Sequence, residues 1–196
     1  MDTEKTTAAS TQAENSPVFS EKEVTPEVTM LIGSYERSID SKLRLVLPSQ
    51  YRDKLEDHPL IMIRWLKRSL AIFPECNWIP MATRISKLQL YTDQGLTVRH
   101  QFFAHAREIK IDKKEGRIVI PPDMVEYGRL YGKLMILGDW DKITIWNYTY
   151  YLDQLAMDDV KMSECFPDVL QLANGQMTLE EFQDHQKLKG AMLNAS

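Results

Sequence analysis

The stretch IDSKLRLVLP at positions 39–48 returns in altered form as IDKKEGRIVIP at positions 111–121. The arginines of the two stretches lie 73 residues apart, and so do the prolines, Pro48 and Pro121. A spacing that stays constant across an arginine, an apolar triplet and a proline indicates two copies of one small unit. Two copies are too few for a solenoid. We therefore predict two halves of one compact core, each too small to bury its own apolar face.

Each copy has the pattern of strand, turn, strand, helix, strand and strand. Alternation and apolar runs predict the strands of the first copy, and Pro48 favours the start of a short helix. The predicted elements of the first copy are strands at 34–39, 43–47, 60–65 and 69–73, a turn at 40–42 and a helix at 49–55. Those of the second copy are strands at 108–111, 117–120, 133–137 and 142–146, with a helix that begins at Pro121-Pro122.

Apolar residues at helical spacing predict a pair of helices between the copies, over 78–90 and 96–106. The residues that carry this pattern are Ile79, Ala82, Ile85 and Leu88, followed by Val98, Phe102, Phe103 and Ala106. Near the other end of the chain, Thr178 and Glu181 have the spacing of a capping box, which predicts a short helix to about Leu188. The chain is thereby divided into a disordered tail (1–29), a first unit (33–77), bridging helices (78–105), a second unit (106–150) and an acidic C-terminal extension with a short helix (151–196).

The net charge of −4 is unevenly distributed. Residues 1–28 carry −4, residues 29–150 carry +5 and residues 151–196 carry −5. A basic core between acidic ends is compatible with a polyanion as partner. An excess of this size fits an ordinary solvated surface equally well.

Composition favours a globular protein of the cytoplasm. The 196 residues are 43% hydrophobic, no apolar run approaches the roughly 20 residues that span a bilayer, and the first 28 residues contain no stretch typical of a secretion signal. Cys76 and Cys165 lie far apart without a CxxC spacing, so we expect two reduced thiols. We expect neither a membrane nor a small-molecule substrate as partner.

The doubled unit resembles the swapped-hairpin AbrB/SpoVT type of DNA-binding fold, and over about residues 33–155 the chain resembles the MraZ family. The matching stretches are GSYE at 33–36, ID at 39–40, RL at 44–45, FFA at 102–104 with Ala106, GRI at 116–118, IPP at 120–122 and IW at 145–146. The resemblance implies an α+β fold in which two tandem βαββ-like units form a double-split barrel core with bridging helices.

The same resemblance implies a function. Members of the family are transcription regulators that assemble as homo-oligomeric rings, bind repeated promoter boxes in double-stranded DNA upstream of the division and cell-wall gene cluster, and repress it. A location on the nucleoid follows from this, and no cofactor is implied.

The resemblance also assigns DNA-contact residues. The Asp-x-x-x-Arg turn of the family falls on Asp40 and Arg44 in the first copy, with Lys42 between them. Leu43 stands where the family usually has glycine, which puts a bulky side chain at a position that favours φ > 0. The full set of predicted DNA-binding residues is Arg37, Lys42, Arg44, Lys113, Lys114 and Arg117, with Asp40 and Asp112 as residues that brace the loops.

The second turn departs in length, because Asp112 lies five residues before Arg117 instead of four. We expect Lys113 and Lys114 to occupy the insertion as a bulge. Arginine can make paired hydrogen bonds to guanine or to phosphate, whereas lysine acts as a mobile point charge. A negatively charged aspartate is repelled by phosphate. We therefore expect Asp40 and Asp112 to accept hydrogen bonds from backbone amides of the turns or to fix the position of the arginine in the same turn.

Two other classes of function compete with this interpretation. An enzyme is not indicated, because His58, His100, His105 and His185 have no metal-ligand spacing and no phosphate-binding loop or nucleophile motif occurs. We expect no catalytic and no metal-binding residues. A nonspecific nucleoid-associated protein or a scaffold protein of the same fold stays open as an alternative, in which exposed aromatic residues such as Trp140 and Tyr148 would contact a partner.

Overall fold

The structure is a computed structural model that describes residues 30–87 and 92–193. The predicted disordered tail and the end of the first bridging helix lie outside the described residues. The strands are β1 (Ser34–Ser38), β2 (Arg44–Val46), β3 (Leu60–Arg64), β4 (Leu70–Pro74), β5 (Arg107–Ile109), β6 (Arg117–Val119), β7 (Lys133–Gly138) and β8 (Ile143–Asn147). The α-helices are α1 (Ser49–Leu55), α2 (Glu75–Lys87), α3 (Asp93–Arg99), α4 (Pro122–Gly128), α5 (Tyr148–Ala173) and α6 (Leu179–Leu193).

Corresponding elements of the two units begin 73 residues apart. The spacing holds for β1 and β5, for β2 and β6, for α1 and α4, for β3 and β7, and for β4 and β8. The strands and short helices predicted from the sequence are confirmed with shifts of one or two residues at their ends. Local signals were sufficient here because prolines at 48 and 121 end strand pairing and start a helix.

Six of the strands form one antiparallel sheet in the order β1-β7-β8-β4-β3-β5. The remaining two, β2 and β6, pair with each other as a separate antiparallel ribbon. The first strand of each unit thus pairs with the third strand of the other unit. Neither unit forms all of its strand pairs alone, because three of the five pairs of neighbouring strands in the large sheet join strands of different units.

The predicted turn at 40–42 does not close a hairpin. Strand β1 pairs with β7 and strand β2 with β6, and an isolated bridge between Ile39 and Leu45 is what connects the two neighbours in sequence. By contrast, β3 with β4 and β7 with β8 are hairpins between consecutive strands.

Both units contribute to the main core. The sheet, the ribbon and the two short helices enclose it, and its fully buried members include Leu45, Tyr51 and Leu55 from the first unit and Ile118 and Met124 from the second. Because the ribbon places one residue of each strand in this core, the neighbouring residues on each strand face outward.

A second cluster lies on the other face of the β3–β4 hairpin, under the bridging helices. It contains Ile63 and Phe73 with Trp78 and Phe102, whose rings stack with centroids 4.5 Å apart. Two residues of the predicted apolar helix faces are not part of it. Ile79 is 51% exposed and Val98 is 53% exposed, which corrects the prediction for both.

The correction has a physical reason. The face of α2 that meets the sheet carries Trp78, Met81, Ala82 and Ile85, and Ile79 is rotated about 100° from Trp78 around the helix. The second bridging helix also ends in a π-helical turn, His100–Ala104, which changes the direction of the residues that follow α3.

The C-terminal region is more helical than the sequence predicts. Strand β8 passes directly into α5, a helix of 26 residues whose first turn is capped by Asn147. Residue 150, the predicted end of the second unit, therefore lies inside this helix. The predicted capping box is confirmed, because the Thr178 Oγ1 accepts from the Glu181 backbone N–H, but α6 extends to Leu193.

No helix in the described part of the chain is both long enough and apolar enough to span a bilayer.

Candidate nucleic-acid interface

The β2–β6 ribbon presents four side chains on one outward face. In the register of the ribbon Arg44 lies opposite Val119 and Val46 lies opposite Arg117. The residues between them, Leu45 and Ile118, are fully buried in the core. The exposed face is thus a square with arginines at one pair of diagonal corners and valines at the other, and we call it the ribbon face.

Two turns flank the ribbon at opposite ends, because each precedes one of two antiparallel strands. The first turn (40–43) is held by Asp40. Its Oδ1 accepts from the backbone N–H groups of Lys42 and Arg44, both at 2.9 Å, and its Oδ2 accepts from the Arg44 Nε at 2.7 Å. These bonds, first of all the one from the Arg44 backbone, lower the pKa of the Asp40 carboxyl.

The second turn (112–116) holds its backbone and its arginine with two different carboxylates. Asp112 accepts from the Lys114 backbone N–H at 2.9 Å, but the nearest carboxylate to the Arg117 guanidinium is that of Glu115, at 2.6 Å. In the longer second turn the Gly116 N–H donates to the Asp112 carbonyl, four residues earlier. In the shorter first turn the Leu43 N–H donates to the Asp40 carbonyl, three residues earlier. Each arginine is therefore held by a carboxylate of its own turn.

Leu43 and Gly116 occupy equivalent places immediately before the two arginines. Both have positive φ, 58° at Leu43 and 63° at Gly116. The departure from glycine at Leu43 therefore leaves the backbone in the left-handed region and adds strain there. Part of the Leu43 side chain packs against the main core, which offsets this cost.

The predicted lysines lie on the turns, away from the core. Lys42 and Lys114 are exposed and form no ion pair within the described residues. Lys113 pairs with Asp57 at 3.0 Å, and this bond raises the pKa of its ammonium group. The turns thus contain mobile positive charge beside the more rigid arginines of the ribbon.

Arg37 is not part of the ribbon face. It lies on edge strand β1, where its guanidinium stacks over the Tyr35 ring at 5.8 Å and donates to the Glu36 carbonyl at 2.7 Å. The structure brings the other five predicted contact residues to the ribbon and its two turns.

Sequence reasoning missed Arg52. This residue of α1 packs against Gly116, so closely that a Cβ at that glycine would lie 2.8 Å from the Arg52 Nη1. It adds a second guanidinium, beside that of Arg117, at the second turn. The repeat contained no signal for it, since the position 73 residues later is Val125, a buried residue.

Among residues 30–87 and 92–193, no three histidine, cysteine, aspartate or glutamate side chains are arranged to hold a metal ion. The ribbon and its two turns present guanidinium, ammonium, carboxylate and methyl groups. These groups bind by hydrogen bonding, charge and apolar contact.

The interleaved units and the ribbon face define the class of the protein: a small α+β protein with two copies of one unit that share a sheet and a two-stranded ribbon. A family model described as "MraZ protein, putative antitoxin-like" matches residues 30–96. That range covers the first unit and helix α2.

Comparisons with individual proteins cover about two thirds of the chain. A protein of Caldicellulosiruptor bescii is 31% identical over 133 residues, which are 68% of this chain and 92% of the relative. One of Leuconostoc mesenteroides is 30% identical over 142 residues, 71% of this chain and 98% of the relative, and one of Marinomonas sp. is 31% identical over 143 residues, 67% and 94%. All three are named transcriptional regulator MraZ, a name that is not that of an enzyme. The chain belongs to the MraZ family.

Proposed function

We propose that this protein is a regulator of transcription that binds double-stranded DNA through the ribbon face and its two turns. The relatives named above are transcriptional regulators, and this supports the general function. The observation that carries the proposal is the pair of arginines at diagonal corners of one exposed face. Strand geometry separates their Cα atoms by roughly 8 Å, which corresponds to two or three base-pair steps.

The size of the ribbon supports contact with base edges. A two-stranded β-ribbon fits the major groove of B-DNA, where arginine recognises guanine through two hydrogen bonds. In this arrangement Arg44 and Arg117 contact bases, while Lys42, Lys113 and Lys114 on the turns contact phosphates. The carboxylates of Asp40 and Glu115 hold the two guanidinium groups in place before DNA binds.

Self-assembly is part of the proposal, since a few contacts from one ribbon bind DNA weakly and several linked ribbons bind an array of boxes far more tightly. Helix α5 supports it with an exposed apolar stripe. Its members are Leu152, Leu155, Met162, Phe166, Val169 and Leu170, each between 40% and 51% exposed. The separations of three, four and seven residues, with Leu170 directly after Val169, place these side chains on one side of the helix, as in a helix–helix interface, and we propose a second copy of this chain as the occupant.

We further propose, from the family resemblance, that the assembly is a ring of swapped-hairpin units, that it acts on the nucleoid in the cytoplasm, and that it represses the division and cell-wall gene cluster. The alternative is a nonspecific nucleoid-associated or scaffold protein. A sequence-specific regulator and a nonspecific protein differ in how their DNA binding depends on salt. A regulator prefers particular sequences at high salt, whereas a nonspecific protein loses all binding as salt rises.

The test uses two variants and one control. Arg44→Ala and Arg117→Ala should each weaken specific binding by about 1–3 kcal/mol if they contact bases, with folding intact because neither side chain is in the core. Arg84→Ala removes the same charge from the exposed surface of α2 and should leave specific binding unchanged. Binding is measured by fluorescence anisotropy with duplexes recovered from a random library. Unchanged binding by both ribbon variants would contradict the proposal.

A further inference from the structure

The two valines of the ribbon face have no role in the contacts described so far. Val46 is 40% exposed and Val119 is 57% exposed. The outward face of a half-buried strand usually carries polar residues, as it does at Arg44 and Arg117. Here the same apolar residue occupies the equivalent outward position of both strands, 73 residues apart.

The arginines opposite Val46 and Val119 restrict which kind of ligand can bind on the two valines. Each valine lies directly opposite an arginine in the register, so the Cβ atoms of each cross-strand pair are about 5 Å apart. A ligand that lies on the ribbon face and binds one arginine therefore also lies beside an exposed valine. A phosphate or a carboxylate offers nothing to a methyl group, and the desolvated methyl would gain little there.

One surface combines the two kinds of partner at this distance. In the major groove a guanine presents two acceptors to arginine, and the neighbouring thymine presents its C5-methyl group. The thymine methyl is the apolar feature that distinguishes a T·A pair in that groove, and it forms apolar contacts with small aliphatic side chains.

We propose that Val46 and Val119 are specificity residues that contact thymine methyl groups, so that the protein recognises a thymine beside a guanine at two places in its site. This inference rests on the proposed DNA-binding function. Because the ribbon is antiparallel, the Arg44/Val119 pair and the Arg117/Val46 pair are equivalent. The two guanine–thymine steps therefore occur in inverted orientation, two or three base pairs apart.

The structural alternative is that valine is present because β-branched residues favour strands. This alternative predicts an effect of substitution on stability and none on base preference. A probe that changes the DNA by one methyl group separates the two explanations. Deoxyuridine in place of thymidine removes the C5-methyl group and leaves base pairing intact.

The experiment begins with full-length protein and a random duplex library, from which bound sites are selected. Each thymine of the selected site is then replaced by deoxyuridine, and binding of wild type and of Val46→Ala/Val119→Ala is measured by anisotropy. The wild type should lose affinity about fourfold per contacted methyl, as expected for ~0.8 kcal/mol of apolar burial. The double variant should be indifferent to the same replacements.

Val98→Ala is the matched control, because the exposure of Val98, 53%, falls between those of Val46 and Val119, and Val98 lies on α3. It should retain the wild-type response to deoxyuridine. If sites are selected and the arginine variants lose binding, but deoxyuridine has no effect on the wild type, the valine inference is wrong and the proposed function stands. If no sequence is enriched at all, specific binding is wrong and this inference with it. Selected sites without thymine beside guanine would also overturn it.

Discussion

At the scale of the residue, the two turns show one requirement met in two ways. Both need a backbone at positive φ immediately before the arginine, and the chain uses glycine at position 116 and leucine at position 43. Glycine does this without steric cost, whereas leucine adopts it at a cost of roughly 1–2 kcal/mol that its contact with the core offsets. The bulk of Leu43 is thus tolerated because the turn lies against a packed interior.

Gly116→Ala should lower stability by about 1 kcal/mol and also weaken DNA binding. The stability cost follows from the positive φ, and the loss of binding follows because the new methyl group displaces the Arg52 side chain. Gly175→Ala is the control, since Gly175 has φ of 68° and nothing within 4 Å of a Cβ. It should lose similar stability and bind DNA as the wild type does. Chemical denaturation and anisotropy are the measurements, and equal DNA binding by both variants would rule out a role for Arg52.

At the scale of the element, the direct passage from β8 into α5 depends on one side chain. The Asn147 Oδ1 accepts from the Tyr150 backbone N–H at 3.1 Å, which caps α5, and its Nδ2 donates to the Arg129 carbonyl at 2.9 Å. Arg129 follows α4 in a left-handed conformation. Asn147 thereby joins the end of one helix to the start of another.

Asn147→Ala should reduce the free energy of unfolding by about 1–2 kcal/mol, because it removes a helix cap and a second hydrogen bond. Thr178→Ala removes the cap of α6 and an exposed bond from the Thr178 hydroxyl to Glu181, and should cost less than Asn147→Ala, because Asn147 joins two elements of the fold. Urea denaturation of both variants is the measurement. A cost at Thr178 equal to that at Asn147 would contradict a larger contribution from the bond to Arg129 than from the exposed bond to Glu181.

At the scale of the whole molecule, the interleaved sheet makes the two units one folding entity. The pairs β1–β7 and β3–β5 join residues of different units, so the loss of one unit leaves unpaired strands in the other. Helix α5 lies outside this core and has an exposed apolar stripe on one side. The stripe contains one charge, at Asp159, in the position between Leu155 and Met162.

Leu155→Glu/Phe166→Glu should reduce the self-assembly of the protein, because two charges would enter the proposed interface between copies. Met157→Glu is the control, since Met157 is 58% exposed but lies about half a turn around the helix from the stripe. Sedimentation velocity should give the 22.8 kDa monomer for the double variant and a larger species for the control and the wild type. The double variant should still bind a single box but lose the gain from repeated boxes. Assembly unaffected by both charges would exclude the stripe as the interface.

Much of the fold could be predicted from the sequence, because turns, short helices and strands depend on residues close together in the chain. The prolines at 48 and 121, the glycine at 116 and the alternation around Leu45 act within a few positions. Because the unit occurs twice, most of these local patterns occur twice and support the same prediction. Arg44 and Arg117 became candidates through the doubled motif together with the family resemblance, not through local signals alone.

Only the tertiary structure decided which strands pair and which side chains meet. The pairing of β1 with β7 joins residues about 100 apart in sequence, and Arg52 meets Gly116 across 64 residues. The exposure of Val46 and Val119 likewise depends on what the rest of the chain leaves uncovered. Hydrophobic periodicity determines which face of a strand is buried, but it contains no information about which other strand becomes the neighbour. The pairing of strands is determined by the packing of the whole core.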